Sequence, residues 1–343
     1  MATTTNANVD TSIPEVWART VFRDHRVAGY TGKFIGAEGS GMPIIQKSEL
    51  LGKPGDLIHI QVTNPLTGGG ITGDETTLEG NEENLLTSEF KCASVLYRHG
   101  VRSFRRATKK SIVDLRSEAR MRLAEWGMNK MDNERFIAFV SNAPVPGTGE
   151  VQGAATTPNV YKVGGGSAVP TTLWAAADFN DIISTDVMTV KSLQEVKLKL
   201  RLQRAKPLMM KDGQPFFVSV WHPNSTFQLK QEARYETLLR EAQVRSESNP
   251  IFIGAIASID GMIVHDHENI PTIVNASPGI KVGRGLAFGQ EAFVEGLDED
   301  VSWAEDTFDY GNQLGVAYSF AFQPRRALNL SSCQTWAAAI DVV

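Results

Sequence analysis

Cysteine is nearly missing from this chain. Cys92 and Cys333 are the two in 343 residues, and a chain this long builds a core without a disulfide framework. The expectation is two reduced thiols, as in a protein made in a cytoplasm. Long apolar runs are missing too: none approaches the roughly 20 residues that cross a bilayer, and the longest candidates are cut by charges or Gly. The opening, Met1 to Ile13, is polar and rich in Thr and Asn, without the basic and apolar regions of a secretion signal. A soluble chain with no membrane partner is expected. Positive charge is not in excess, with 34 basic against 39 acidic residues and a net charge of -5. That balance argues against tight binding of nucleic acid, which calls for a strongly basic face.

Signatures of catalysis are absent as well. There is no GxSxG or SxxK nucleophile motif, and neither cysteine has an adjacent base. Gly68-Gly69-Gly70 and Gly164-Gly165-Gly166 lack the GxxxxGK[ST] or GxGxxG order that cradles phosphates, and read as flexible loops. No internal repeat is visible.

What is present is a hydrophobic content of 42%, normal for a folded protein and enough for one large or two ordinary domains. The first ten residues carry few apolar side chains and read as a mobile arm. Ser12-Ile13-Pro14-Glu15 then opens a short amphipathic helix bearing Val16, Trp17, Val21 and Phe22. After the turn Lys53-Pro54-Gly55-Asp56, residues 57 to 62 alternate as a half-buried strand does. A polar, Gly-rich stretch follows, from Asn64-Pro65 through Gly73-Asp74-Glu75 to Glu82-Glu83, and Ser88 to Phe104 brings the chain back. The whole reads as a projecting two-stranded excursion with an acidic tip. Such a hairpin is marginal alone in water, so support from another molecule is expected.

Ile112, Leu115, Ala119, Leu123 and Trp126 fall at helical spacing, predicting an amphipathic helix over 107 to 126 that Asp132 to Val140 extends or follows, ending at Ala143-Pro144-Val145-Pro146-Gly147. Pro144 to Thr172 reads as a long loop with a short strand around Val160 to Val163. Ser192-Leu193-Gln194-Glu195 matches a capping box opening a basic helix to about Lys206; alternation of Val196, Leu198, Leu200 and Leu202 with cations competes for strand, but the cap chemistry favours helix. Phe216 to Trp221, Gly261 to Val264, Arg284 to Gly289 and Gln313 to Phe322 read as strands. Pro223 to Ala242 reads as a helix bearing Phe227, Leu229, Tyr235, Leu238 and Leu239. Strands and helices mix without a βαβ rhythm, which favours the α+β class.

Three clusters carry charge or ligand chemistry. His265-Asp266-His267-Glu268 has metal-ligating residue types but no third ligand and no zincin spacing, and is read as a polar strand end with satisfied side chains. Asp298-Glu299-Asp300 and Glu305-Asp306 lack a calcium-loop pattern and are read as a solvated turn between strands. Arg102, Arg105, Arg106, Lys109 and Lys110 form a basic run read as pairing with acidic residues of a neighbouring subunit, with DNA as the other candidate.

Four passages occur in a telling order: Lys53-Pro54-Gly55-Asp56 before a strand; Leu78-Glu79-Gly80-Asn81-Glu82-Glu83 in the excursion; Gly285-Leu286-Ala287-Phe288-Gly289-Gln290-Glu291-Ala292; and Trp303-Ala304-Glu305-Asp306 leading to Asp309-Tyr310-Gly311-Asn312. Together they span about residues 13 to 330, and the order resembles the N4-type major capsid protein family of tailed phages. The resemblance implies the HK97-like fold. Its parts would be an N-terminal arm with a short helix (1–51), an E-loop (52–105), a P-domain (106–206) with a spine helix (106–142), an A-domain (207–284), and returning P-domain strands with a C-terminal tail (285–343).

It further implies a non-enzymatic subunit, without catalytic, cofactor or metal residues, made in the host cytoplasm and assembled through hexameric and pentameric capsomers into the icosahedral shell around double-stranded DNA. Asp74, Glu75, Glu79, Glu82, Glu83, Arg102, Arg105 and Arg106 are the candidate inter-subunit contacts. The other implied partners are a portal protein, a scaffolding protein separate from this chain, a decoration protein, and packaged DNA in weak, non-specific contact. The competing readings are an encapsulin-like compartment shell and a metal-dependent enzyme built on His265, Asp266 and His267.

Overall fold

The protein is described by a computed structural model over residues 29–49, 51, 55, 57–63, 66, 68–73, 77–111, 114–140, 160–162, 173–174, 184, 187–202, 204–209, 213, 215–241, 255–274, 279–326 and 333–339. The expected arm and helix before residue 29, most of the Pro144 to Thr172 loop, Ile112, Asp74 and Glu75 lie outside them.

A 3-10 turn, Thr31–Phe34, leads into β1 (Ile35–Gly36) and β2 (Ile44–Lys47). β3 (Leu57–Thr63) and β4 (Thr87–Ala93) then pair antiparallel as a hairpin of their own, with Leu57 opposite Ala93 and Thr63 opposite Thr87. The expected return strand, Ser88 to Phe104, is two strands. β5 (Val95–Phe104) leaves the hairpin and pairs with a later strand, so the excursion expected to run to 105 ends at Ala93.

Next come α1 (Arg105–Lys110) and the 26-residue α2 (Leu115–Val140). The expected single helix is broken at Ser111, which is extended. Asp114 restarts it by accepting the N–H of Arg116 on its side chain (3.1 Å), as an N-cap does. α2 is about 39 Å long at 1.5 Å per residue.

β6 (Val160–Lys162) and β7 (Leu173–Trp174) are followed by α3 (Val190–Leu202). The cap of α3 is a turn earlier than the expected Ser192. Thr189 and Ser192 exchange bonds, Ser192 N–H to Thr189 Oγ1 (3.2 Å) and Thr189 N–H to Ser192 Oγ (3.0 Å). β8 (Leu208–Met209) and β9 (Pro215–Trp221) precede α4 (Pro223–Gln231) and α5 (Ala233–Glu241). The helix expected across 223 to 242 is interrupted at Glu232, whose backbone is extended and whose carboxylate accepts the Val190 N–H at 2.6 Å. Leu229 and Tyr235 are buried as expected, and Phe227 is exposed.

The remaining strands are β10 (Ala255–Ile259), β11 (Met262–Asp266), β12 (Thr272–Val274), β13 (Lys281–Phe288), β14 (Phe293–Phe308), β15 (Gln313–Arg326) and β16 (Cys333–Ala339). They complete two sheets. A nine-stranded mixed sheet runs β10-β11-β9-β13-β16-β6-β7, with β8 beside β9 and β12 beside β13; a five-stranded sheet runs β1-β2-β14-β15-β5.

β9 shows why both faces of the larger sheet are covered. From Phe216 to Trp221 every residue is buried, a run typical of a strand enclosed on both sides. Phe216, Val218 and Val220 pack with Phe136, Phe139 and Val140 at the end of α2, while Phe217 and Trp221 pack with Leu193, Val196 and Leu200 of α3. The first half of α2 lies instead on the five-stranded sheet, Leu123 joining Val316, Tyr318, Phe320 and Phe322 of β15. One helix thus ties both sheets together. Gly127 allows the close approach, since a Cβ there would overlap the Tyr318 ring.

Candidate functional site

The β3–β4 hairpin is held at its root. Ile58 and Cys92 are buried against Gly296 of β14, where an added Cβ would crowd both. The buried Arg325 of β15 donates from Nη1 to the carbonyl of Lys91. Toward the tip the side chains of His59, Gln61 and Glu89 are exposed, and Leu66, Leu78, Leu85 and Leu86 stand in solvent. Glu83 accepts the Gly68 N–H (2.6 Å) and Glu82 the Gly80 N–H (2.8 Å), ordering the tip locally, and Glu79 is exposed.

A second projection is formed by the outer halves of β14 and β15 with β5 alongside. The expected solvated turn at 298–306 is part of β14, whose sixteen residues run from a buried start to an exposed end. The carboxylates lie there because that half leaves the core. Glu305 is clamped by Arg116 and Arg120 of α2, Arg120 Nε donating at 2.8 Å. Hydrogen bonds from Arg116 first, then Arg120, hold its carboxyl below the usual carboxylate range. Arg102 donates to Gln313 Oε1 (3.3 Å) and sits 4.1 Å over the Phe308 ring, while Arg105 and Arg106 are exposed. At the end of the projection Asp309, Tyr310 and Gly311 all have positive φ, and Tyr310 is fully exposed. The structure places the acidic hairpin tip and the basic run on separate projections.

A buried charge network, unforeseen in the sequence, joins the parts. Arg135 of α2 meets Glu295 of β14 through Nε (2.6 Å) and Nη2 (2.9 Å), and donates from Nη1 to Thr31 Oγ1 (2.8 Å). Asp132 accepts the N–H groups of Tyr30 (2.6 Å) and Thr31 (3.1 Å) and the Thr31 hydroxyl. Asp132 and Glu295 are each 1% exposed. The available signal was a pair of opposite charges three residues apart in a helix ending Phe136-Ile137-Ala138-Phe139-Val140.

His265 and His267 stand at the end of β11, the expected strand end, and both are buried. His267 packs against the rings of Tyr30 (4.5 Å) and Phe136 (4.9 Å), which also meet each other, and burial lowers its pKa. His265 packs edge-on against Phe34, with Lys33 Nζ 3.5 Å from Nδ1. Among the described residues no group of three or more His, Cys, Asp or Glu side chains converges. No helix among them is long and apolar enough to cross a membrane.

A projecting hairpin rooted on a neighbouring sheet, a long helix spanning two sheets and a second β projection make up an HK97-like fold. Solved phage capsids share this fold. The capsid of Ralstonia phage GP4 superposes with a TM-score of 0.77 at 21% identity over 99% of both chains. The capsid asymmetric unit of cyanophage Pam1 gives 0.78 at 16% identity, over 96% of this chain and 97% of that one. The major capsid protein of Pseudomonas phage KPP25 is 26% identical over 324 residues, 88% of this chain and 86% of the relative.

The sequence pattern of the phage capsid protein family matches residues 7–324, and the chain belongs to that family. It is a major capsid protein of a tailed phage, a self-associating component of the virion shell.

Proposed function

We propose that the chain forms hexameric and pentameric capsomers of the N4 type, which close into an icosahedral shell around a double-stranded DNA genome. The observation that carries this is the β3–β4 hairpin, whose buried residues sit at the root while four leucines near the tip are in water. A two-stranded hairpin gains little stability alone, and exposed apolar groups of this kind mark an interaction surface. The hairpin is the E-loop, lying over the adjacent subunit; α2 is the spine helix of the P-domain; and the nine-stranded sheet with α3 to α5 contains the A-domain, converging at capsomer centres.

Glu79, Glu82 and Glu83 at the tip, together with Arg102, Arg105 and Arg106, face neighbouring copies, and Asp74 and Glu75 belong to the same acidic segment. The subunit acts structurally, not as an enzyme. A portal protein, a separate scaffolding protein and a decoration protein complete the particle, and the net charge of -5 keeps contact with packaged DNA weak.

The test is the double variant Glu79→Lys, Glu82→Lys. Assembly is expected to fall at least tenfold with the thermal midpoint of the unassembled subunit unchanged. Equal loss of subunit stability and assembly contradicts the proposal.

A further inference from the structure

The chain enters the described fold through Tyr30 and the 3-10 turn Thr31–Phe34, and this segment is seated on two buried imidazoles, His265 and His267. The Tyr30 ring meets His267 at 4.5 Å and His265 edge-on at 6.1 Å, and Phe34 meets His265 edge-on at 6.0 Å. Lys33 Nζ lies over the Tyr30 ring at 4.0 Å. The Tyr30 hydroxyl is buried without a hydrogen-bond partner among the described residues. What holds Tyr30 is therefore its ring contacts and the bond from its N–H to Asp132.

The hydrogen bonds fix which form of each imidazole the fold accepts. His267 Nδ1 accepts the N–H of Asn269 at 3.1 Å, and a backbone amide nitrogen only donates. His265 Nδ1 lies 3.5 Å from Lys33 Nζ, and a lysine ammonium only donates as well. Each Nδ1 must therefore be bare and each ring neutral, with its proton on Nε2. A second proton would go to Nδ1, where it faces another donor. At His265 it would also set two cations side by side at a fully buried ring.

The surroundings do not offset this. Facing the pair, among the described residues, are Tyr30 and Lys33 of the entering segment, Asp132 of α2 with Arg135 3.7 Å from it, and Asp266 and Glu268 beside the histidines in sequence. β9 and β10 place Val220 and Ala255 next to His265. Burial lowers the His267 pKa from its ordinary value of 6.5 despite Asp132, Glu268 and Asp266, which favour the charged ring, and Lys33 adds to the lowering. Asp132 is moreover engaged by the N–H groups of Tyr30 and Thr31 and by the Thr31 hydroxyl.

We propose that this seat is an acid-sensitive latch: protonation of His265 and His267 frees Tyr30 to Phe34 from α2 and β11 while the two sheets stay folded. Below pH 6.5 the released state takes up protons that the seated state refuses, so acid favours release. β1, paired with β2, keeps the freed stretch attached. Its five residues give the chain before them about 17 Å more reach, at roughly 3.4 Å per residue. The latch works within one subunit and does not depend on how copies assemble.

Hydrogen exchange on the full, unassembled chain at pH 7.5 and 5.5, corrected for the intrinsic pH dependence of exchange, tests the latch. The N–H groups of Tyr30 and Thr31, both accepted by Asp132, report the seat, and those of Phe217 to Val220 in β9 report global unfolding. Protection of residues 30–34 is expected to fall at least tenfold at pH 5.5, with β9 unchanged. The double variant His265→Asn, His267→Asn keeps an acceptor oxygen near the place of each Nδ1 but takes no proton, and is expected to abolish the fall. His222→Asn is the control, because His222 Nδ1 also accepts an N–H, that of Asn224 at 3.3 Å, but at the start of α4. The fall is expected to persist there. If the double variant lacks protection at pH 7.5, Lys33→Met replaces it, with a smaller fall expected because no second cation then faces His265.

Equal protection of residues 30–34 at both pH values overturns the latch. So does a fall that is undiminished in the double variant or in the Lys33→Met variant replacing it, or abolished in His222→Asn. A fall shared by β9 also overturns it, since the whole subunit is then unfolding.

Discussion

Arg135 of α2 and Glu295 of β14 form a buried two-point ion pair, 2.6 and 2.9 Å, at the place where that helix crosses from one sheet to the other. The same guanidinium holds Thr31 at 2.8 Å, so a single side chain locks the entering chain, the helix and the sheet together. Such a cluster fixes one arrangement of three elements that apolar contacts alone would hold less specifically.

Removing one partner exposes the cost of the other. Arg135→Met is expected to destabilise the unassembled subunit by about 3–5 kcal/mol, because Glu295 is left charged and buried. Pairing it with Glu295→Met should recover most of that loss, since a buried ion pair is often replaceable by apolar groups of similar volume. Urea unfolding of the two variants and the unmodified chain measures both quantities.

Gly127 and Tyr318 offer a steric test. Alanine is favoured over glycine inside a helix by about 1 kcal/mol, but here its methyl group would overlap the Tyr318 ring. That ring is held by Trp126, Trp303 and Phe320 and has little room to yield. Overpacking of this kind costs about 1–3 kcal/mol, so Gly127→Ala is expected to lower the thermal midpoint. Gly69→Ala, with nothing within 4 Å of the added carbon, should leave it unchanged.

Lys33 gives a pH dependence with a definite sign. Burial lowers its pKa to about 8, while the unfolded chain titrates at the ordinary lysine value of about 10.4. Between those values the unfolded state binds more protons, so this group raises stability as pH rises from 8 toward 10. Above pH 10 Tyr30, whose pKa is pushed up chiefly by burial, works in the opposite direction. Urea unfolding at pH 7.5, 9 and 10 should show the rise in the unmodified chain and a flatter profile in Lys33→Met.

The legible parts of the fold were those with local signals. β3, β9, β13 and β15 follow from alternation or unbroken apolar runs, and the outward course of the chain after residue 63 follows from Gly and acid content. Less legible were features decided by distant partners. β5 continues the return strand in sequence, yet at Val95 it transfers to β15, a choice made by residues 313–322. At Glu232, where the backbone between α4 and α5 turns extended, the carboxylate accepts the N–H of Val190, forty-two positions away, a partner no local signal announces. The acidic residues of β14 read as a turn because their sequence shows polarity and not the strand that carries it. Of the candidate contacts, the tip glutamates and Arg102, Arg105 and Arg106 were legible as charge, whereas their distribution over two separate projections depends on topology.

The central claim is that this subunit builds closed shells, and negative-stain electron microscopy of the purified full chain, alone and with co-expressed phage assembly proteins, tests it most directly. Closed shells, tubes or capsomer rings are the expected result. Uniform small particles under every condition, from a chain shown to be folded by its cooperative melt, would contradict it.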